Sequence, residues 1–499
     1  MQHATRKCLR EQQVDDLVDA LDKVLTTVTG TFEAREKAAL EMANEVVRRW
    51  TQRDLTRIAV RYGDEVVVDG QRYRRHAAGT RKYHSLCGPI EIRRDTYRLV
   101  GVHNGPTIVP LELEAGIVSN ATPAFAGSAL QAFAMMPLRD YENQMRAASR
   151  SVPARSTLER ICKRTGADLE RAHTIEHVVR SSESLPDDAC SISIGLDRTT
   201  IPMAEVQQAR RPRKTSEHVR RRPPPVHVVY RMAYIGTIAI HDANGNTLAT
   251  TRVSSTAETG SVPLMTRVCL EVQHLLGQRR SLPVVVVQDG ASELWGLIGE
   301  WLERFGITPT MKLIDRYHVE ERLAKTAAAV ESDPATARML LDDWRALLDR
   351  SDSAIRRIQR QIGARLYAPK AEQPPPPEGA LLPWPEGFGR TGPAEPFDRT
   401  KKLLGGEAAQ IAETNLRYFE RPSSFFHYAT ARKRGFPIGS GVTEGGCKSV
   451  IASRFKRSGQ RWFDSGAAPC LHLRTLHLNA RLRPSFQLLV DKQRNRLFA

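Results

Sequence analysis

Four consecutive valines, Val284 to Val287, constrain this chain more than any other stretch. A short β-branched run, bounded by Pro283 before it and by Asp289-Gly290 after it, predicts a strand. Apolar residues on both of its faces predict an interior strand, covered by helices above and below. The neighbouring segments agree. Leu264 to Leu276 keeps a helical period before it, and Leu294, Leu297, Ile298, Trp301, Leu302 and Phe305 form an amphipathic stripe after it. Thr308 to Ile314 is the next expected strand, running into a helix from Val319 to Val330. Upstream, Ser191 to Asp197 alternates like a strand with one buried face, with Asp197 at its end. Val226 to His241 and Thr247 to Ser254 predict two more strands around the Asn-Gly turn at Asp242 to Asn246. The expected fold class is α/β, a mixed five-stranded sheet. Asp197 and Asp289 are expected at strand ends, where open α/β sheets place their sites.

The other segments read differently. Residues 9 to 54 predict helices, with Leu17, Leu21 and Leu25, then Leu40, Ala43, Val47 and Trp50, keeping a helical period. Residues 64 to 100 predict strands, including a hairpin around Cys87-Gly88-Pro89. Two helices, near 138 to 150 and 156 to 175, are separated by Val152-Pro153, and Ser156 with Glu159 has capping-box spacing. The pair reads either as a DNA-gripping helix-turn-helix or as an ordinary helix pair. The run from Ala209 to Pro225 is too basic and proline-rich to fold alone, and reads as a loop able to contact phosphate. Residues 331 to 430 read as a helical insertion, broken by a proline-rich linker from Glu372 to Pro396. The expected regions are 1–110, helices with a small β-hairpin; 111–185, helical and DNA-binding; 186–330, the first part of the core; 331–430, the insertion; and 431–499, the rest of the core with a basic tail.

Charge narrows the partner. Lys and Arg number 74 against 56 Asp and Glu, giving +18, an excess that suits a polyanion. Nucleic acid fits better than a membrane, since no apolar run reaches the roughly 18 residues of a spanning helix. The first residues, MQHATRKCLREQQ, hold no apolar signal core, so a cytoplasmic protein is expected. The seven cysteines stand singly, with no Cys-x-x-Cys, and support neither a zinc ribbon nor a disulfide framework.

The stretch from Pro437 to Trp462 carries the chemistry. Ser440, in the turn Gly439-Ser440-Gly441, is placed to cap the helix that follows. Glu444 falls near its first turn, where the helix dipole favours a carboxylate. Glu444, Lys448, Ile451 and Phe455 share one helical stripe. Gly445 and Gly446 suit the close passage of another backbone. Lys448, Arg454, Lys456, Arg457 and Arg461 surround the single acid with cations. One reading is a capped, solvated basic helix; the other is an acid held against a polyanion.

This block resembles the last catalytic block of ISKra-type insertion-sequence transposases. The resemblance rests on Pro437-Ile438-Gly439-Ser440-Gly441, Glu444, Cys447-Lys448, and Arg454, Lys456, Ser458, Gly459 and Arg461-Trp462. It implies a ribonuclease H-like core with an Asp-Asp-Glu site: Asp197, Asp289 and Glu444 as catalytic residues and metal ligands. Mg²⁺, with Mn²⁺ as a substitute, would serve the in-line displacements of DNA cutting and joining, Asp197 bridging two ions. The partners implied are the element's terminal inverted repeats and target DNA, with the protein a homo-oligomer on DNA, associated with the bacterial nucleoid. Such proteins commonly carry a cysteine-paired ribbon after the hairpin, where this chain has Leu99 to His103.

Asp315 and His318 match an Asp-x-x-His motif that many related transposases carry after the second aspartate. It implies a structural or strand-guiding role near the site. The plainer alternative is that Asp315 caps the next helix, and a third is that Asp315 replaces Asp289 at the metal. Expected DNA contacts are Arg198, Lys448, Arg454, Lys456, Arg457, Arg461 and Trp462. Two rival functions remain, a ribonuclease H-like nuclease or resolvase without strand transfer and a non-catalytic DNA-binding descendant of a transposase.

Overall fold

The computed structural model describes residues 2–27, 29–206, 226–369 and 397–497, with side chains described from residue 12 onward except at 369. The basic run at 209–225 and the proline-rich linker at 372–396 lie outside the described residues.

The centre is a five-stranded sheet. Its strands are β1 (Ser191–Val206), β2 (Val226–His241), β3 (Thr247–Thr256), β4 (Val284–Gln288) and β5 (Met311–Ile314). They lie in the order β3-β2-β1-β4-β5, the first three antiparallel and the last two parallel to β1. This mixed α/β arrangement is compatible with a ribonuclease H-like fold. The turn between β2 and β3 is fixed by Asp242, whose Oδ1 accepts from the backbone of Asn244 and Asn246, both at 2.8 Å. β1 corrects one expectation. It runs nine residues past Asp197, which therefore lies within a long strand rather than at its end. Pairing with β2 continues throughout, so the backbone has no reason to stop there.

The four valines divide between two cores, as their alternation requires. Val284 and Val286 join Ile192, Ile194 and Leu196 beneath the helices Ser261–Gln278 and Ser292–Arg304. Val285 and Val287 face the other way, packing with Val319, Leu323, Trp344 and Ile355 of the helices that follow β5. Further along that second face, Ile201, Met203, Ala233 and Ile235 are covered by the helices Pro123–Met135, Arg155–Arg171 and Asp464–Leu478. The region from 330 to 430 is helical where described, through Pro334–Arg350, Ala354–Leu366 and Gly406–Phe419.

Toward the N-terminus, helices Gln2–Leu25 and Phe32–Ala59 precede a four-stranded sheet, whose main hairpin closes at Ser85 and Gly88. The helix Arg155–Arg171 begins one residue before Ser156 and has no side-chain cap, so the expected capping box does not form. Among the described residues no helix is long and apolar enough to cross a membrane.

Candidate active site

The β1–β4 ladder pairs Ile192 with Val284, Ser193 with Val285 and Ile194 with Val286. Beyond that pair the ladder ends. Asp197 and Asp289 each stand three residues further along the chain from that pair. Alternation within β1 turns Asp197 toward the face that carries Ser193, Gly195, Val285 and Val287, and Asp289, one residue past the end of β4, lines a pocket with His318 and Tyr418 beside that face.

Glu444 reaches the same face on the short helix Gly441–Gly446. Two glycines and a threonine set its depth. A Cβ on Gly195 would come 2.1 Å from Oγ1 of Thr443 and 2.9 Å from the Val287 carbonyl. One on Gly446 would press Ile235 and Thr237 at 3.0 and 3.1 Å. The hydroxyls of Thr237 and Thr443 bond across the contact at 2.6 Å. The glycine pair expected to admit a close neighbour thus does so through Gly446, while Gly445 faces open space.

Past Gly446 the helix widens into a π segment, Cys447–Ala452, before a last turn at Ser453–Phe455. A π segment holds more residues per turn than an α-helix, which shifts the helical phase between Glu444 and Phe455. Lys448 is exposed while Ile451 and Phe455 are buried, so the single stripe expected from the spacing is split. Cys447 lies against Asp197; burial first, and then the Asp197 carboxylate, push its thiol upward.

Each acid is half-buried. Asp197 accepts at Oδ1 from the Arg198 amide at 2.6 Å. Asp289 accepts at Oδ1 from the Ala291 amide at 2.8 Å, and its carbonyl receives the Trp295 indole N–H at 2.7 Å. Glu444 Oε1 lies 3.5 Å from His318 Nε2. Among the described residues, no Lys or Arg forms an ion pair with any of the three. Asp289 and His318 also line a pocket of about 360 Å³ whose wall includes Tyr418. Gly290 makes room for that ring, since a Cβ there would meet it at 2.2 Å.

Asp315 is nearly sealed, at 1% exposure. Its Oδ1 accepts from the amides of Tyr317 (2.6 Å) and His318 (3.4 Å), capping the helix Arg316–Val330. Its Oδ2 accepts from the Ser440 amide at 2.5 Å and from the Ser440 hydroxyl. Ser440 was expected to cap its own helix; instead it donates to Asp315 and makes no side-chain cap. Ligand atoms of Asp315, His318 and Glu444 lie within 4.8 Å of one another. Asp197, Asp289 and Glu444 are not drawn that close among the described residues. The tighter group is a poor metal site, because four donors already occupy the Asp315 carboxylate.

The expected DNA contacts separate. Lys448, Lys456, Arg457 and Arg461 are exposed. The Lys456 ammonium donates to the Thr199 hydroxyl, and Arg457 pairs at 3.8 Å with Asp140. Arg198 is held by both Glu293 oxygens at 2.7 Å. Arg454 corrects the reading: it is 2% exposed, bonds to the Phe133 carbonyl, and sits 4.6 Å over the Trp462 ring. Its charge is spent inside the protein. Sequence reasoning passed over the partners of this tail, Arg139, Arg155 and Lys163, which line one cleft with Arg461. Their only signal was the position of Arg155 and Lys163 just beyond the Val152-Pro153 break and of Arg139 at the start of the helix before it.

No family model and no curated protein sequence matches the chain. A solved structure, titled "Drosophila P element transposase strand transfer complex", is similar at 10% identity and a TM-score of 0.24. The match covers 74% of this chain and 82% of that one.

Proposed function

We propose that this protein is an Asp-Asp-Glu transposase of the ISKra type, cutting and joining DNA at the ends of an insertion sequence. The observation that carries the reading is the unbalanced acid face. In a chain of net charge +18, Asp197, Asp289 and Glu444 share one face of the sheet with no Lys or Arg ion-paired to them among the described residues. Three carboxylates are hard oxygen donors of the kind Mg²⁺ or Mn²⁺ selects. Bound there, the ions would supply Lewis-acid activation of a water or 3′-hydroxyl oxygen and neutralise charge on the phosphate.

The chain's own residues bind and orient. His318 lies 3.5 Å from the Glu444 carboxylate and is placed to orient it. Gly195 and Gly446 let the Glu444 helix lie directly on the sheet. Lys448, Lys456, Arg457 and Arg461 are exposed on the segment that follows Glu444 and would offer cations to a phosphate backbone. In this reading the helices of residues 111–185 share DNA binding, and the protein works as a homo-oligomer on the element's inverted repeats and its target.

The test is a strand-transfer assay with Mg²⁺, using DNA that carries the sequences flanking the gene. Joined products support the reading. Cleavage without joining would make the protein a nuclease or resolvase, and binding without either would make it a non-catalytic descendant.

A further inference from the structure

The basic tail does not simply face solvent. Residues Ser458 to Phe463 and the helices Leu138–Ala147 and Arg155–Arg171 enclose a cleft of about 690 Å³. Four cations line it besides the buried Arg454: Arg139, Arg155, Lys163 and Arg461. Among the described residues two carboxylates oppose them, Asp140 and Glu159, and each already faces a cation, Arg457 and Lys163. Arg139 and Arg461 have no ion pair among the described residues.

One wall is aromatic and rigid. Trp462 is wedged between the Arg454 guanidinium at 4.6 Å and the Phe455 ring at 4.5 Å. Its backbone is pinned to β1, donating to the Pro202 carbonyl at 3.0 Å and accepting from Ala204 at 2.7 Å. Phe463 follows at the cleft and is left 47% exposed. The volume exceeds what a phosphate alone requires, and the mixture of cations with an aromatic face is that of a single-strand platform.

We propose that this cleft holds an unpaired nucleotide of bound DNA, its base on Phe463 and its flanking phosphates on Arg139 and Arg461. The inference rests on the DNA-binding part of the function proposed above, and not on catalysis. The cleft meets β1 at Met203, six residues beyond Asp197. At ~3.3 Å per residue that is roughly 20 Å from the acid face. A strand could therefore occupy both at once.

The experiment measures binding of the full chain to fluorescein-labelled dT20 and to the same strand paired with dA20. Phe463→Ala should weaken dT20 binding about tenfold and leave the duplex within about twofold, since stacking acts only on an unpaired base. Arg139→Ala combined with Arg461→Ala should flatten the single-strand salt slope by about 1.4, two phosphates at about 0.7 each. Phe463 is a surface residue, so its variant should melt with the wild type, which excludes misfolding as a cause. Equal effects of Phe463→Ala on both DNAs, or none on either, would overturn the proposal. Cutting separates the two readings: Asp197→Asn should keep the Phe463-dependent preference for dT20, and a wild-type protein that shows this preference but never cuts DNA would keep the cleft and lose only the catalytic claim.

Discussion

The Asp315 carboxylate receives both donors of Ser440, the amide at 2.5 Å and the hydroxyl, while its other oxygen caps the helix that carries His318. One buried side chain thereby joins the starts of the His318 and Glu444 helices. The backbone extends the joint: the Asp315 amide donates to Gln288, the residue before Asp289, at 2.9 Å. The geometry of Asp315 is thus that of a positioning residue, its carboxylate filled by four protein donors, and Asp289 remains the proposed ligand.

The two aspartates should fail differently when replaced. Hydrogen bonds to a charged group contribute about 1.5–3 kcal/mol each, so Asp315→Ala should cost about 3 kcal/mol or more of stability. Ser440→Ala, which keeps the amide, should cost only about 1–2 kcal/mol. Asp289→Ala should abolish Mg²⁺-dependent cleavage with end binding intact and little change in the urea midpoint. A stable Asp315→Ala protein that cannot cut, beside an Asp289→Ala protein that can, would reverse the assignment.

Much of the sheet was legible because burial writes itself into composition. Val284 to Val287 could only be an interior strand, and the Asn-Gly turn fixed the β2–β3 hairpin. The extent of β1 was not legible, because Asp197, Arg198, Thr199 and Thr200 look like a strand end while β2 goes on pairing with them. Nor was the π segment, since no residue type marks one. At the candidate site, the motif singled out Glu444, but nothing in it announced the contact that Ser440 makes with Asp315. Capping is a local rule, and the partner that took its hydroxyl lies 125 residues away. Arg454 was misplaced for the same reason: a basic tail predicts solvent, and only tertiary packing against Phe133 and Trp462 could bury one of its members.

Salt dependence should expose that difference within the tail. Replacing Lys456, Arg457 and Arg461 by Ala should flatten the log-log salt slope of duplex binding by about two to three units, each neutralised phosphate contributing about 0.9. Arg454→Ala should leave the slope near that of the wild type and lower the melting temperature, because it strips the Phe133 carbonyl and the Trp462 ring of their partner. A flattened slope with unchanged melting for Arg454→Ala would place that side chain on DNA after all.

Acid should destabilise the protein before its carboxylates titrate. Burial holds His472 well below its ordinary pKa of 6.5, and lowers His84 and His241 as well. Above that value both folded and unfolded chains are neutral at these sites, and stability is full. As pH falls through about 6.5 the unfolded chain takes up protons that the folded one refuses, so stability is lost at up to about 1.4 kcal/mol per pH unit per histidine. Glu170, raised by burial, works in the opposite sense near its own range and offsets part of the loss at lower pH. His472→Leu should flatten the fall in stability between pH 7 and 5 by about 1.4 kcal/mol or more. Parallel profiles for variant and wild type would show that His472 is protonated in the folded chain.

The acid face should destabilise the folded chain when no cation is bound. Asp197, Asp289 and Glu444 share it without a Lys or Arg partner among the described residues, and like charges on one half-buried face repel. Asp197→Asn removes one charge at nearly constant shape. With chelator present the variant should therefore melt higher than the wild type, the usual exchange of stability against activity at such sites. Added Mg²⁺ or Mn²⁺ should raise the wild type, since a ligand that binds only the folded form stabilises it by RT ln(1 + [L]/Kd). The variant should gain little, because it lacks the carboxylate expected to bridge. The measurement is a thermal melt of both proteins in EDTA and in about 10 mM metal, a concentration suited to a weak Mg²⁺ site. Equal melting points in EDTA together with equal metal shifts would remove Asp197 from any shared metal pocket, and the Asp-Asp-Glu reading would fall with it.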